Sequence, residues 1–127
     1  MSSEKFSISK RIKSFKYAFN GLWVVIKEEH NARIHLAAAV VVTFAGFYFE
    51  ITAMEWVTLV LTMGVVISME IINSSIENLC DFVSPNKHEL IKKVKDLAAA
   101  AVLVSAYSAL IIGLIIFVPK ITEQFFK

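Results

Sequence analysis

The chain has 127 residues, of which 57% are hydrophobic, and a mean hydropathy of +0.65. That is more apolar surface than a small soluble domain can bury, so a single all-α membrane domain spanning residues 1–127 is expected. The formal charge of +2 gives nucleic-acid binding no support, and a lone cysteine, Cys80, rules out an internal disulfide and any CxxC or Cys/His metal spacing.

The first segment, "MSSEKFSISKRIKSFKYAF", carries basic residues but no apolar run before a small-residue cleavage site, so it reads as mature protein and not as a signal peptide. Over about residues 6–30, Phe6, Ile8, Ile12, Phe15, Phe19, Leu22 and Trp23 alternate with lysines at roughly helical spacing. This predicts an amphipathic surface helix with apolar side chains in the lipid and lysines toward headgroups or solvent, a plain orientation anchor being the alternative. Three apolar segments follow, at about 34–51, 54–79 and 97–118, each near the ~20 residues that cross a bilayer core. The third is uncharged, and Pro119 is expected to close it. The one clear turn signal is "SPNKHE", Ser84 to Glu89.

Lys10, Arg11, Lys13, Lys16, Lys27 and Arg33 precede the first apolar segment, and Lys87, Lys92, Lys93 and Lys95 lie between the second and third. The connection "EITAMEW" has neither lysine nor arginine. Basic loops stay cytoplasmic, which predicts the N-terminus and the second loop inside. Lys120 and Lys127 at the other end argue mildly against this and are partly offset by Glu123. His30 and His35, five residues apart, share no helical face and read as interfacial polar residues.

The second apolar segment ends in "SMEIINSSIENLCDF". At about 100° per residue, with Glu70 as zero, Asn73 falls near −60°, Ser74 near +40°, Glu77 near −20° and Asp81 near +20°. All five share one face, with Glu70 and Glu77 roughly 10 Å apart along the axis. Carboxylates at such depth are costly unless they meet water, a cation or one another, which makes the stripe a candidate functional site. The alternative is a helix end whose acids simply reach water, the better reading for Asp81 alone. Two carboxylates, a carboxamide and a hydroxyl are hard oxygen ligands suited to Mg²⁺. With the neighbouring lysines and His88 they suggest phosphoryl transfer at the membrane surface. There is no GxxxxGK[ST] loop and no GxGxxG, so a nucleotide site must be built from side chains on helices. "HELIK" at His88 has Lys92 where HExxH requires its second histidine, leaving zinc proteolysis unsupported.

"EIINSSIENLCDFVSPNKHELIKKVKDLAAAAVLV", Glu70 to Val104, resembles the signature of the small prokaryotic integral-membrane diacylglycerol kinases and their undecaprenol kinase relatives: E-hydrophobic-hydrophobic-N-[ST]-x-[IVL]-E, then D, H-E and K-D before an alanine-rich helix. "RIKSFKYAFNGL" and "KEEHNARIH" are similar to that family's surface helix and the entry to its first span, so the likeness runs from about Lys10 to Ile121. The resemblance implies a homotrimer of three spanning helices per subunit plus a surface helix, in the bacterial cytoplasmic membrane. It would transfer the γ-phosphate of ATP, with Mg²⁺, to a lipid hydroxyl at the cytoplasmic face. It makes Glu70 the general base, Glu29 and Glu77 the metal ligands, and Asn73 a supporting residue. Lys10, Tyr17, Asn86, Lys87, His88, Lys95 and Asp96 would contact nucleotide, and Ala99, Lys10 and Glu70 would border the lipid. The residues alone do not favour Glu29 over Glu28. Lys10 stands where an arginine is common, replacing a bidentate phosphate contact with a point charge. At His35 the enterobacterial-type diacylglycerol kinases tend to carry an acid, whereas "ARIHLAAAV" looks more like the undecaprenol kinase branch. A membrane-embedded Glu70 would also suit a small transporter or proton-coupled channel, and the alanine-rich third span a structural subunit.

Overall fold

A computed structural model describes residues 5–126; the ends of the expected domain, residues 1–4 and Lys127, lie outside the described residues. The described chain is all-helical: α1 (Ile8–Glu28), α2 (His30–Tyr48), α3 (Ala53–Val83) and α4 (Glu89–Phe125). The last three are long and apolar enough to cross a membrane. At 1.5 Å per residue α2 is about 28 Å long, matching a hydrocarbon core, whereas α3 and α4 reach roughly 46 and 55 Å. Both therefore extend past the apolar layer.

Local chemistry sets the boundaries. Ser7 caps α1 by accepting from Lys10 N–H at 3.4 Å. A single extended residue, Glu29 (φ −102°, ψ 110°), separates α1 from α2, ending one helix and starting the next. The break is thus sharper than the gap between residues 30 and 34 that the sequence suggests. At the other end of α2, Glu50 adopts φ 49°, while the N–H groups of Glu50 and Ile51 bond back to Phe47 and Gly46 carbonyls at 3.3 and 3.2 Å. This is the left-handed C-terminal cap in which glycine is usual, and it takes Glu50 and Ile51 out of the helix that the apolar run 34–51 would have included. Thr52 and Glu55 then form a reciprocal capping box that starts α3. His88 caps α4, its Nδ1 accepting from Leu90 N–H at 3.1 Å.

Pro119 does not close the third apolar segment, contrary to expectation: α4 runs through it to Phe125. Proline withholds its own N–H and crowds the carbonyl four residues back, a cost offset here because the turns beyond it are tied down elsewhere. Lys120 pairs with Glu55 at 3.2 Å and Gln124 donates to the Tyr48 hydroxyl at 2.7 Å.

The buried core lies at this same end, where Ile51, Leu59 and Ile116 pack with Val42, Phe49, Trp56, Met63, Ile112 and Phe117. Gly46 permits the approach of Trp56, whose Cη2 would lie 2.6 Å from a Cβ at that position. Along the rest of the spans large apolar side chains such as Phe44, Leu61, Leu103 and Ile115 are exposed, as helices facing lipid or another chain require. The opposite end carries the polar groups.

Candidate functional site

The polar stripe of α3 faces inward. Glu70 and Ser74 are each 3% exposed, Asn73 and Glu77 are half-buried, and Asp81 is out in solvent. What covers them is the α1–α2 junction. Because Glu29 is the extended residue between two helices, its carboxylate reaches across to α3, where Ser74 Oγ donates to Glu29 Oε1 at 3.1 Å. The structure thereby distinguishes Glu29 from Glu28, which the sequence alone does not. Asn78 Nδ2 donates to the Ser74 carbonyl at 2.8 Å and steadies the same turn.

One turn deeper, His35 Nε2 of α2 stands 3.1 Å from Glu70 Oε1. The separation is within ion-pair reach, and Oε1 has no hydrogen bond. Asn73 Oδ1 is also buried and unpartnered. His35 is therefore not the plain interfacial residue that its spacing from His30 suggests: α2 and α3 run antiparallel, and His35 meets Glu70 across their contact.

On either side of this carboxylate group lies a cavity. One, of about 220 Å³, sits among α1, α2 and α3; His35 and Glu70 are on its wall, and the other lining side chains are all apolar, among them Leu22, Val25, Leu36 and Ile71. The other, about 480 Å³, is a polar cleft in the α3–α4 turn. Asn86, Lys87, His88, Lys95 and Asp96, five of the residues expected to contact nucleotide, all line it. Lys95 and Asp96 do not pair with each other: Lys95 Nζ is 2.5 Å from Asp81 Oδ1 on α3, and Lys92 Nζ is 2.6 Å from Asp96 Oδ2. Asp81 thus reaches water, as expected of a helix-end acid, and also pairs with the Lys95 ammonium at the cleft wall.

Read along α3, the groups fall in sequence: Asp81 at the cleft, Glu77 one turn in, Ser74 holding Glu29, then Glu70 at the apolar cavity. The whole path covers about 16 Å of helix axis. Lys10 and Tyr17 lie on exposed α1 and line neither cavity, and Ala99 is on the exposed side of α4, away from the Glu70 cavity.

Among the described residues, no three His, Cys, Asp or Glu side chains converge to hold a metal ion by themselves. Mg²⁺ does not need such a cage, because it takes one or two carboxylates and completes its shell with water and phosphate oxygens. Glu29 and Glu77, flanking Ser74 between the cleft and Glu70, fit that requirement, and the unpartnered Asn73 Oδ1 is a further hard donor on the same face.

The sequence model of prokaryotic diacylglycerol kinases matches residues 16–117. Over 114 residues, 90% of this chain and 93% of the relative, the sequence is 40% identical to an undecaprenol kinase of Bacillus subtilis strain 168. It is 35% identical over 109 residues to a diacylglycerol kinase of Synechocystis, covering 85% of this chain and 62% of that one. Against a diacylglycerol kinase of Escherichia coli K12 the identity is 28% over 111 residues, 87% and 91% of the two chains.

Proposed function

The chain belongs to the prokaryotic diacylglycerol kinase family and is an ATP-dependent lipid kinase, and from that premise we propose that it phosphorylates undecaprenol in preference to diacylglycerol. Membership of a kinase family also disposes of the transporter and structural-subunit alternatives for the buried glutamate. The observation that carries the reading is the order of groups along α3, from polar cleft through carboxylates to an apolar cavity. Nucleotide phosphates belong with Lys95, Lys87 and His88, and the lipid with the apolar wall.

In this reading Glu70, at the boundary of the apolar cavity, takes the proton from the lipid hydroxyl as its oxygen bonds to the γ-phosphorus and the bridging bond to ADP breaks. Glu29 and Glu77 would hold Mg²⁺, which would neutralise phosphate charge. Ser74 keeps Glu29 in place, and Asn73 supports the same face. Lys10 and Tyr17 join the nucleotide site from α1, with Lys10 also near the lipid, and Ala99 borders the lipid from α4 of a neighbouring copy. The preference for undecaprenol rests on two supports. The undecaprenol kinase of B. subtilis is 40% identical, against 28% for the E. coli diacylglycerol kinase. In addition, the cavity beside Glu70 offers no polar side chain other than Glu70 and His35. The ester carbonyls of a diacylglycerol would find few donors there, while a hydrocarbon alcohol needs none beyond its hydroxyl.

The same reading makes α1 an amphipathic helix on the cytoplasmic leaflet of the bacterial inner membrane, lysines toward headgroups, with the site facing the cytoplasm. Exposed small residues on α4, Ala99 to Ala101, allow the close helix contacts of a homotrimer. Purified protein in mixed micelles, given MgATP with diacylglycerol and undecaprenol in parallel and Glu77→Ala as blank, tests the assignment. Faster phosphorylation of undecaprenol is expected. Strong preference for diacylglycerol would overturn the substrate assignment, and turnover by Glu77→Ala equal to the parent would overturn the metal assignment.

A further inference from the structure

A general base must be ionised when its substrate arrives, and an ionised carboxylate is costly away from water unless a cation or hydrogen-bond donors compensate it. Glu70 is 3% exposed, its Oε1 has no hydrogen bond, and much of its surroundings is the apolar wall of the lipid cavity. The other charged groups near it, Glu29 from the α1–α2 junction and Glu77 from α3, are carboxylates too. His35 is the basic side chain in contact, with Nε2 at 3.1 Å from Oε1, and its ring is 25% exposed.

We propose that His35 is the positioning residue of Glu70, its imidazolium compensating the buried carboxylate and so keeping it available to accept the lipid hydroxyl proton. The inference rests on Glu70 being the base. At 3.1 Å the ring is close enough for its charged form to act on the carboxylate by proximity alone, without a directed hydrogen bond. The ring also bridges two environments, touching the carboxylate inside while keeping a quarter of its side-chain surface open, so its charge is less expensive to carry than that of Glu70. No atom is gained or lost by His35 in the cycle: the hydroxyl proton passes to Glu70, the phosphoryl group to the lipid oxygen, and the electron pair of the broken P–O bond stays with ADP.

The test compares His35→Gln, His35→Lys, Glu70→Gln and the double variant His35→Gln/Glu70→Gln, each purified and checked for monodispersity, in the micelle assay. Glutamine keeps polarity and a donor but carries no charge. His35→Gln is expected to lower kcat on the order of 100-fold, the lower end of what a positioned general base contributes, with KM for MgATP unchanged. His35→Lys, which restores a cation, is expected to recover a large part of that loss. Because His35 acts through Glu70, adding His35→Gln to Glu70→Gln is expected to cause no further loss. Near-normal kcat in His35→Gln, equal losses in the glutamine and lysine variants, or multiplying losses in the double variant would each overturn the proposal. A fully active Glu70→Gln would instead sink the assignment of the base, whereas an inactive Glu70→Gln beside an unaffected His35→Gln would sink this inference alone. If His35→Gln fails the monodispersity check, His35→Asn takes its place, with the same expected loss, the same recovery in His35→Lys and the same outcomes overturning the proposal.

Discussion

Ser74, whose hydroxyl is a hard oxygen on the polar stripe of α3, uses that hydroxyl as a donor to Glu29, so its removal tests whether the placement of Glu29 matters. The Ser74 hydroxyl donates to Glu29 Oε1 at 3.1 Å from a position 3% exposed. A hydrogen bond to a charged group contributes about 1.5–3 kcal/mol. Expressed wholly in cation affinity, that is roughly a 10- to 100-fold weakening, since about 1.4 kcal/mol is tenfold. Glu29 is half-buried and water can replace part of the lost bond, so Ser74→Ala is expected near the lower limit, about tenfold. The assay is a Mg²⁺ titration of lipid phosphorylation at saturating ATP, reading the Mg²⁺ concentration at half-maximal rate. Ser74→Thr, which keeps the hydroxyl, is expected to stay within about threefold of the parent, a shift worth well under the bond itself. An unchanged Mg²⁺ midpoint in Ser74→Ala would refute the reasoning, and so would equal shifts in the alanine and threonine variants.

Gly46→Ala would set a Cβ 2.6 Å from Trp56 Cη2 and 3.1 Å from Ile51 Cδ1; a loss of about 1–3 kcal/mol is expected, the usual range for overpacking, read as a lower unfolding temperature in detergent. Glu50→Gly relieves the left-handed backbone at φ 49° and is expected to raise stability by up to about 1 kcal/mol in the same measurement. Lys95→Met removes the ammonium held on the cleft wall by Asp81 at 2.5 Å; KM for ATP is expected to rise about tenfold, the scale of one charge-assisted hydrogen bond. An unchanged KM would take Lys95 out of the nucleotide site.

The three apolar segments and the stripe on α3 were legible because each depends on a periodicity within one helix. The segment lengths follow from bilayer thickness, and the shared face of Glu70, Ser74 and Glu77 follows from 100° per residue. Helix ends were less legible, because they are decided by groups with no bearing on hydropathy. The α2 boundary moved to Tyr48 because two N–H groups fold back around Glu50, and α4 passed Pro119 because Lys120 and Gln124 anchor the turns beyond it. The partners of the stripe were least legible. Glu29 reaches α3 only because it is the extended residue of a one-residue break, a backbone conformation with no composition signal. His35 was misread since its spacing was compared with His30 on its own helix. A depth comparison across the hairpin would have found it: His35 lies 13 residues before the end of α2 and Glu70 17 residues after the start of α3, depths of about 20 and 26 Å from the shared turn.

The division between the two ends of the molecule follows from what each must bury. At the α2–α3 turn the core is aromatic and aliphatic, locked by Gly46, Ile51 and Trp56, and its polar groups are spent on caps and on the Lys120–Glu55 and Gln124–Tyr48 ties. At the opposite end the helices are held by Ser74 to Glu29, His35 to Glu70 and Lys95 to Asp81, each joining two different elements through a side chain that also belongs to the site. Rigidity there therefore depends on the charges that nucleotide, cation and lipid hydroxyl will engage. Glu29 can keep the Ser74 hydroxyl on Oε1 while its other oxygen meets a cation, and the Lys95 ammonium, with three donors, can divide them between Asp81 and a phosphate. The apolar end, sharing no residue with the site, keeps the hairpin of α2 and α3 in register.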